Sequence, residues 1–597
     1  MAASCGNCRR SPARPDRKVK CSGPCARAFH LLCADLNVSF WRAATAQVGL
    51  FWFCPGCRVE LERKKDKAST THSHSDVSDR IEKLERETGE LPAEIWHKVF
   101  QALDGNQLRA IRMTCRGWNQ IVGSSCSLMN KLVLRLPKDI IVDQYCGEVK
   151  LLAACESRYV HLVMDQLRII RVDASWWASF ALNLKSLSIT GCRITVATLL
   201  TMLEPLHNLK SLTLASGPLI DARECPSVIS FQLPSLEKLA LQEADQGDLL
   251  DLFRQLCPRL KVFEMPTGSC AETHSDKVAQ FVEATKGTLV ELELPMLRRL
   301  WGSIMEIDGV RLRRVTLTGC IRGGMQENLV EMIKKYPDIQ ILQFPENSFL
   351  DKSILKTIAN NLTNLEQLKI FTSDTSFLHE MPKLTSLDIC CQSRFSSTRF
   401  DFSRYKNENL TSLTANAANL SRSLFYSCPN LQTCNLANCR PESWSDIFDP
   451  KMKLLRNLSL QSIKVSKNVD SLAECFERLQ YLSISACDMK QSFLKALFSV
   501  CPALTHIWLE RLDELDDEVM ETIGRKLKNL KRITVRNCGM INQLSPQLFG
   551  ECHPQIELQK VRKRNITEEY LSPTEYDGDD YDYNDYYYDS SESVAYF

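Results

Sequence analysis

The chain has 597 residues, enough for several folding units at roughly 100–200 residues per domain. Its 74 Lys and Arg against 72 Asp and Glu leave a net charge of +2, so no bulk field selects a class of partner. No apolar run approaches the ~18 residues of a membrane span. The opening residues Cys5, Cys8, Arg9 and Arg10 contain no apolar stretch of the kind a secretory signal needs.

Charge is unevenly distributed. Residues 1–67 hold thirteen Lys/Arg against five Asp/Glu, whereas 566–597 hold ten Asp/Glu and no Lys or Arg. Twenty-six cysteines without a signal point to a reducing compartment, nucleus and/or cytoplasm, where thiols bind metal or fill cores. Phosphate-binding loops of the GxxxxGK[ST] type, HExxH, GxSxG and GxGxxG are absent, which lowers the prospect of an NTPase, a zincin or a serine hydrolase. The chain reads as a modular binding protein rather than an enzyme.

The first module is 1–60. Cys5/Cys8, Cys21/Cys25, His30/Cys33 and Cys54/Cys57 form four closely spaced pairs. Zn(II) takes four N or S ligands tetrahedrally, and a gap of two to four residues lets one turn present two of them. Eight ligands therefore predict two closed structural zinc ions, which would supply the stability that so polar a segment lacks. The order four Cys, one His, three Cys, with Phe29 before His30 and Trp52 two before Cys54, resembles a PHD finger. The resemblance implies interleaved ligation, Cys5, Cys8, His30 and Cys33 on one ion and Cys21, Cys25, Cys54 and Cys57 on the other. A variant RING finger shares the ligand order. Six of the twelve residues from Arg9 to Lys20 are basic and none is aromatic, so an acidic peptide or a nucleic-acid backbone suits this face better than a methylated histone tail. A chromatin partner and a purely supporting finger also remain open.

Residues 61–87 read as a flexible linker, rich in Ser, Thr and His between Ala68 and Asp79. From 88 to 132 the pattern becomes helical. Pro92 stands at a helix start, followed by Ile95, Val99 and Leu103 at a spacing of four, and Gly105 is expected to end the helix. Leu108, Ile111, Cys115 and Trp118 form a second stripe. Leu91, Pro92, Glu94, Ile95, Val99, Phe100, Cys115 and Trp118 together resemble an F-box, with Gln107 and Thr114 departing from the usual residues. The resemblance implies docking onto the Skp adaptor of a cullin–RING ubiquitin ligase. The expected adaptor-binding set is Leu91, Pro92, Ile95, Val99, Phe100, Leu103, Leu108, Cys115 and Trp118.

Residues 133–565 carry a repeat, L-x-x-L-x-L. Fifteen anchors run from Leu184 (LKSLSI) to Leu530 (LKRITV), at steps of 19 to 29 residues, with an earlier match at Tyr159. The period lies in the range of about 20–29 residues of leucine-rich repeats. Positions 1, 4 and 6 are expected to stack inward, with helices such as Glu327–Lys335 and Glu518–Leu527 outside the strands. The 19-residue step from Leu365 and the 21-residue step from Leu410 leave room only for extended or 3₁₀ segments. Cys192, Cys320, Cys439, Cys487 and Cys538 follow strands, and Cys257, Cys428 and Cys501 precede Pro ahead of strands. Both patterns resemble the repeats of F-box proteins with leucine-rich repeats, and these thiols are expected to act as small hydrophobes.

The expected fold is therefore multidomain: a small two-zinc finger, a short all-α F-box, a long α/β leucine-rich-repeat solenoid and a disordered acidic tail at 566–597. The same order of modules resembles the C-terminal half of jumonji-type demethylases; the chain has no oxygenase-length segment ahead of the finger, so no demethylation is expected. The implied role is the substrate-recognition subunit of a Skp–cullin–F-box ubiquitin ligase. The alternatives are a single-chain ligase using the finger as a RING, and a chromatin-associated scaffold. Position 5 of each repeat faces the inner surface and is mostly small or polar. Trp508 is the exception, and with Tyr481 and His506 it forms a candidate substrate site. Docking of the tail there, or packing of Trp508 on a neighbouring side chain, are the other readings.

Overall fold

The structure is a computed structural model that describes residues 92–136, 138–143 and 159–538 apart from short connecting stretches, and three further strands at 18–20, 28–30 and 559–561. Its contacts group into two compact units: the chain up to Asp104 with Ile111–Ser125, and Gly105–Ala110 with Cys126 onward.

In the first unit, Lys18–Lys20 pairs antiparallel with Ala28–His30. Helix α1 (Ala93–Gln101) starts after Pro92, whose fixed φ of −49° suits a helix entry, and whose carbonyl accepts from Ile95 and Trp96. Glu94 in its first turn and Lys98 in its last complement the helix dipole. Helix α2 (Gly105–Arg112) begins, rather than ends, at Gly105. The reason is local to the second unit: a Cβ on Gly105 would run into the Lys131 carbonyl oxygen, so only glycine fits. Helix α3 (Arg116–Ser124) is capped by Cys115, whose Sγ accepts from the Trp118 amide at 3.4 Å.

The second unit is built on one parallel ladder of eighteen strands, from Val133–Arg135 to Gln559–Val561, with the last strand following round to the first in the sheet order. Parallel neighbours need a crossover, and each repeat supplies one. Helices fill the longer crossovers, for example Val196–Leu203, Ser275–Thr285, Gln326–Lys335, Lys352–Asn361, Gln491–Val500 and Asp517–Lys526. Among the described residues, the 19-residue step from Leu365 holds the 3₁₀ turn Ser376–Glu380 as its crossover after the strand Gln367–Phe371, in keeping with its short length. All fifteen anchors are buried, none more than 4% exposed. Equivalent positions stand in register, Leu187 opposite Leu212 and Leu482 opposite Ile507, so each repeat adds one layer to a continuous apolar core.

Two features lie outside the sequence-based expectation. A second parallel sheet of four short strands (Ile141–Val142, Arg168–Ile169, Arg193–Thr195 and Leu219–Ile220) runs beside the early repeats. The asparagine that precedes several anchors bridges repeats: Asn208, Asn430 and Asn529 donate Nδ2 to the carbonyls of Leu182, Glu408 and Pro502 at 2.9, 2.7 and 3.2 Å.

Candidate functional sites

The F-box-like helices present two apolar stripes. On α1, Trp96 and Phe100 turn inward. Their rings lie 5.7 Å apart, and Trp118 of α3 completes the cluster at 4.8 Å from Trp96 and 5.6 Å from Phe100. The other stripe stays in solvent: Pro92 is exposed, and Ile95 and Val99, one turn apart, are 39% and 43% exposed. Helical residues four apart share a face, so Ile95 and Val99 form one exposed apolar ridge.

Several expected docking residues take other roles. Phe100 and Leu108 are buried, at 1% and 0% exposure, and cannot meet a partner at the surface. Cys115 is exposed but serves as the cap of α3, Trp118 is half-buried in the ring cluster, and Leu103 is half-buried. Leu91 lies outside the described residues. Trp96, missed in the sequence, is legible in retrospect as the i−4 partner of Phe100.

The eight expected zinc ligands also lie outside the described residues, save that the backbone of His30 ends the strand Ala28–His30. Among the described residues no helix is long and apolar enough to cross a membrane.

On the strand ladder, alternation leaves one face free of the helices. At its C-terminal end the register brings the three expected residues together: Tyr481 stands opposite His506, and Trp508 opposite Ser483. Tyr481 and His506 are exposed, but Trp508 is half-buried, which corrects the expectation of a free anchor. Its Nε1 donates to Glu510 Oε2 at 3.3 Å, and the Arg536 guanidinium lies 4.4 Å from the ring centroid. The indole is thus held at its N–H edge by an acid and over its ring by a cation. Arg532, already legible with Lys531 as basic, is the register partner of His506; Arg536, the partner of Glu510, is the residue that sequence reading missed, although the two-residue strand period would have placed it. The His506 imidazole is held below its ordinary value, by burial first and then by the Lys531 and Arg532 cations.

A second charged group lies on the earlier repeats. Lys238 Nζ meets Glu264 Oε1 at 2.6 Å, and Glu293 stands opposite Glu264 on the next strand. Burial, then the Glu264 charge, pushes the Glu293 carboxyl above the usual range.

With this geometry in view, comparison with known proteins is informative for one region. An F-box-like family model matches residues 88–135. No curated protein matches the chain. Among solved structures it is similar to the TLR13–ssRNA13 complex, at 14% identity over 73% of this chain and 53% of that one, with a TM-score of 0.33. It is similar also to the mouse RP105/MD-1 complex (13% identity, 67% and 75% covered, TM-score 0.40). The Rad7 and Elc1 complex of yeast is a third (13% identity, 82% and 98% covered, TM-score 0.31). The chain spans about half the length of the first of these. The protein carries an F-box-like helical domain followed by a long, leucine-rich-repeat-like ladder of parallel strands.

Proposed function

We propose that the protein is the non-catalytic substrate-recognition subunit of a Skp–cullin–F-box ubiquitin ligase. The observation that carries this reading is the exposed ridge Pro92, Ile95 and Val99 on α1, inside the F-box-like match, with its inner stripe already satisfied by Trp96, Phe100 and Trp118. The ridge docks the Skp adaptor and through it the cullin. The ladder holds a target protein near the ubiquitin donor, so catalysis is by positioning and all bond chemistry takes place elsewhere. In this reading residues 1–60 are a PHD-type finger with two structural zinc ions on Cys5, Cys8, His30 and Cys33, and on Cys21, Cys25, Cys54 and Cys57. The protein works in the nucleus and/or cytoplasm.

Capture of purified Skp adaptor by the full chain tests the first step. Ile95→Glu with Val99→Glu is expected to weaken capture by about a hundredfold, since buried anchors are worth ~2 kcal/mol or more. Both side chains are exposed, so circular dichroism and melting should not change. Unaltered capture would overturn the assignment. Ubiquitin chains made by this protein with a conjugating enzyme and no cullin would instead make it a ligase in its own right.

A further inference from the structure

The C-terminal end of the ladder carries an excess of positive charge that is only partly paired, Arg525 with Glu521 one helical turn before it. Residues 525–538 contain six Lys and Arg and no acid. Lys531 and Arg532 are exposed, and among the described residues neither they nor Arg536 makes an ion pair. Arg536 rests on Trp508 with its Nε buried and without a hydrogen-bond acceptor. The single acid on these rows, Glu510, is engaged by Trp508 Nε1 and by Ser485 Oγ, the latter at 3.5 Å.

The sequence that follows has the opposite character. Residues 566–597 hold ten acids, eight tyrosines and no Lys or Arg. We propose that this segment docks on the open face of the ladder, its carboxylates on Lys531, Arg532 and Arg536 and its tyrosines beside Tyr481 and Trp508. The attachment point favours this occupant over any free polyanion. The last strand, Gln559–Val561, pairs with Thr534–Arg536 and sets Val561 opposite Arg536. Neighbouring strands lie ~4.8 Å apart, so Trp508 is about 10 Å and Tyr481 about 14 Å from that last strand. Glu568 follows seven residues after Val561, a stretch that can extend to ~25 Å. Every group in the patch is within reach of the first acids. A tether this short holds the segment at an effective concentration on the order of mM, so even a weak peptide stays seated. Arg–carboxylate pairs and cations over tyrosine rings are the contacts that this composition can make. The segment then covers the platform of Tyr481 and Trp508, and any other ligand of that end must displace it. The inference concerns the ladder and its own continuation and stands apart from adaptor docking.

Zero-length carbodiimide cross-linking of the dilute full chain, read by peptide mass spectrometry, tests it. Lys531 is expected to join to acids between Glu568 and Glu592, within one chain when light and heavy isotope forms are mixed. The link should vanish at about 1 M salt, where the screening length falls to ~3 Å. It should drop at least about fivefold in Arg532→Glu with Arg536→Glu, because both charges act within that screening range at low salt. Separately, a labelled peptide of residues 566–597 should bind the chain ending at Asn565, and bind the full chain about tenfold more weakly because the tethered copy competes. If the shortened chain fails to fold by circular dichroism, the cross-linking decides alone. Three results would overturn the proposal: acids of the segment cross-linking as often to Lys185 or Lys210 as to Lys531, links that survive charge reversal, or links only between chains. A heparin oligosaccharide that binds at Lys531 and Arg532 equally well with and without the segment would also overturn it, and would mark an open site for external polyanions.

Discussion

Three buried tryptophans show how much depends on a single polar atom. Trp177 and Trp301 donate their indole N–H to the Met202 and Pro295 carbonyls, at 2.7 and 3.2 Å. Trp444 is equally buried, stacked on Phe493 with centroids 5.7 Å apart, yet its Nε1 has no acceptor. Replacing Trp by Phe loses similar apolar area at both sites, but only at Trp177 does it also strand a carbonyl. Trp177→Phe is expected to destabilise by about 1 kcal/mol more than Trp444→Phe, the net worth of one such hydrogen bond. Equal losses in paired denaturant titrations would show that the Met202 carbonyl finds another donor. The cysteines carry the same lesson with less ambiguity. Gly191, Asn438, Ala486 and Asn537 take positive φ, and the thiol that follows each one, at Cys192, Cys439, Cys487 and Cys538, donates back to a carbonyl of its own strand. Gly191, Asn438 and Asn537 are residue types that visit this left-handed region readily, whereas Ala486 and Arg511 adopt it at a steric cost. The shape of Trp508's surroundings was not legible in the sequence, because it depends on Glu510 and Arg536 meeting the same ring, and no single strand displays both.

At the scale of elements, helix α1 separates two kinds of apolar residue that sequence spacing alone ran together. Ile95, Val99 and Leu103 match one helical stripe and Trp96 and Phe100 another, about 100° round. Which stripe faces inward is decided by the rings of α3, a tertiary fact absent from the local pattern. Phe100→Ala removes the centre of the three-ring cluster and is expected to cost about 3–5 kcal/mol, melting the helical unit and so abolishing adaptor capture indirectly. Ile95→Glu with Val99→Glu should leave melting alone. Thermal melts of the two variants side by side separate folding from docking; a Phe100→Ala chain as stable as wild type would mean that the cluster is dispensable. The repeats were the most legible part of the fold, because positions 1, 4 and 6 recur and every anchor proved buried. The second sheet was not legible: its strands are two or three residues long and carry no alternation to detect. The inter-repeat Asn bonds were written in the sequence as an Asn–Leu pair, but only the stacking distance shows that Asn430 reaches Glu408.

At the scale of the whole molecule, a core stacked from many repeats collects thiols that titrate together when the ladder opens. Burial pushes the Cys428 thiol up to about 12 and the Cys487 thiol up to about 11, from an ordinary value of 9.0. Cys192, Cys257 and Cys434 are raised by the same cause. Below pH 9 these groups are protonated whether the ladder is folded or not, and their share of stability is fully present. Above it the unfolded chain loses its thiol protons while the folded one keeps them, so the unfolded state binds fewer protons and stability falls with rising pH. The loss is on the order of 1 kcal/mol per thiol per pH unit, and it continues until the folded thiols themselves ionise. Urea titrations of the ladder between pH 8 and pH 11 should therefore show a midpoint that falls steadily above about pH 9. Cys428→Ala with Cys487→Ala removes two of the titrating groups. It is expected to lower the midpoint at pH 8 through lost packing while making the decline above pH 9 shallower. An unchanged slope in that variant would assign the alkaline loss to lysines and tyrosines instead. Alkylation at neutral pH provides an independent reading: exposed Cys115 and Cys126 should react in the native chain, and Cys257, Cys428, Cys434 and Cys501 only after denaturant opens the repeats. Because Cys115 caps α3 within the F-box-like match, its protection by added Skp adaptor would tie this thiol chemistry to docking, and reactivity unaffected by the adaptor would place the docking ridge away from the start of α3.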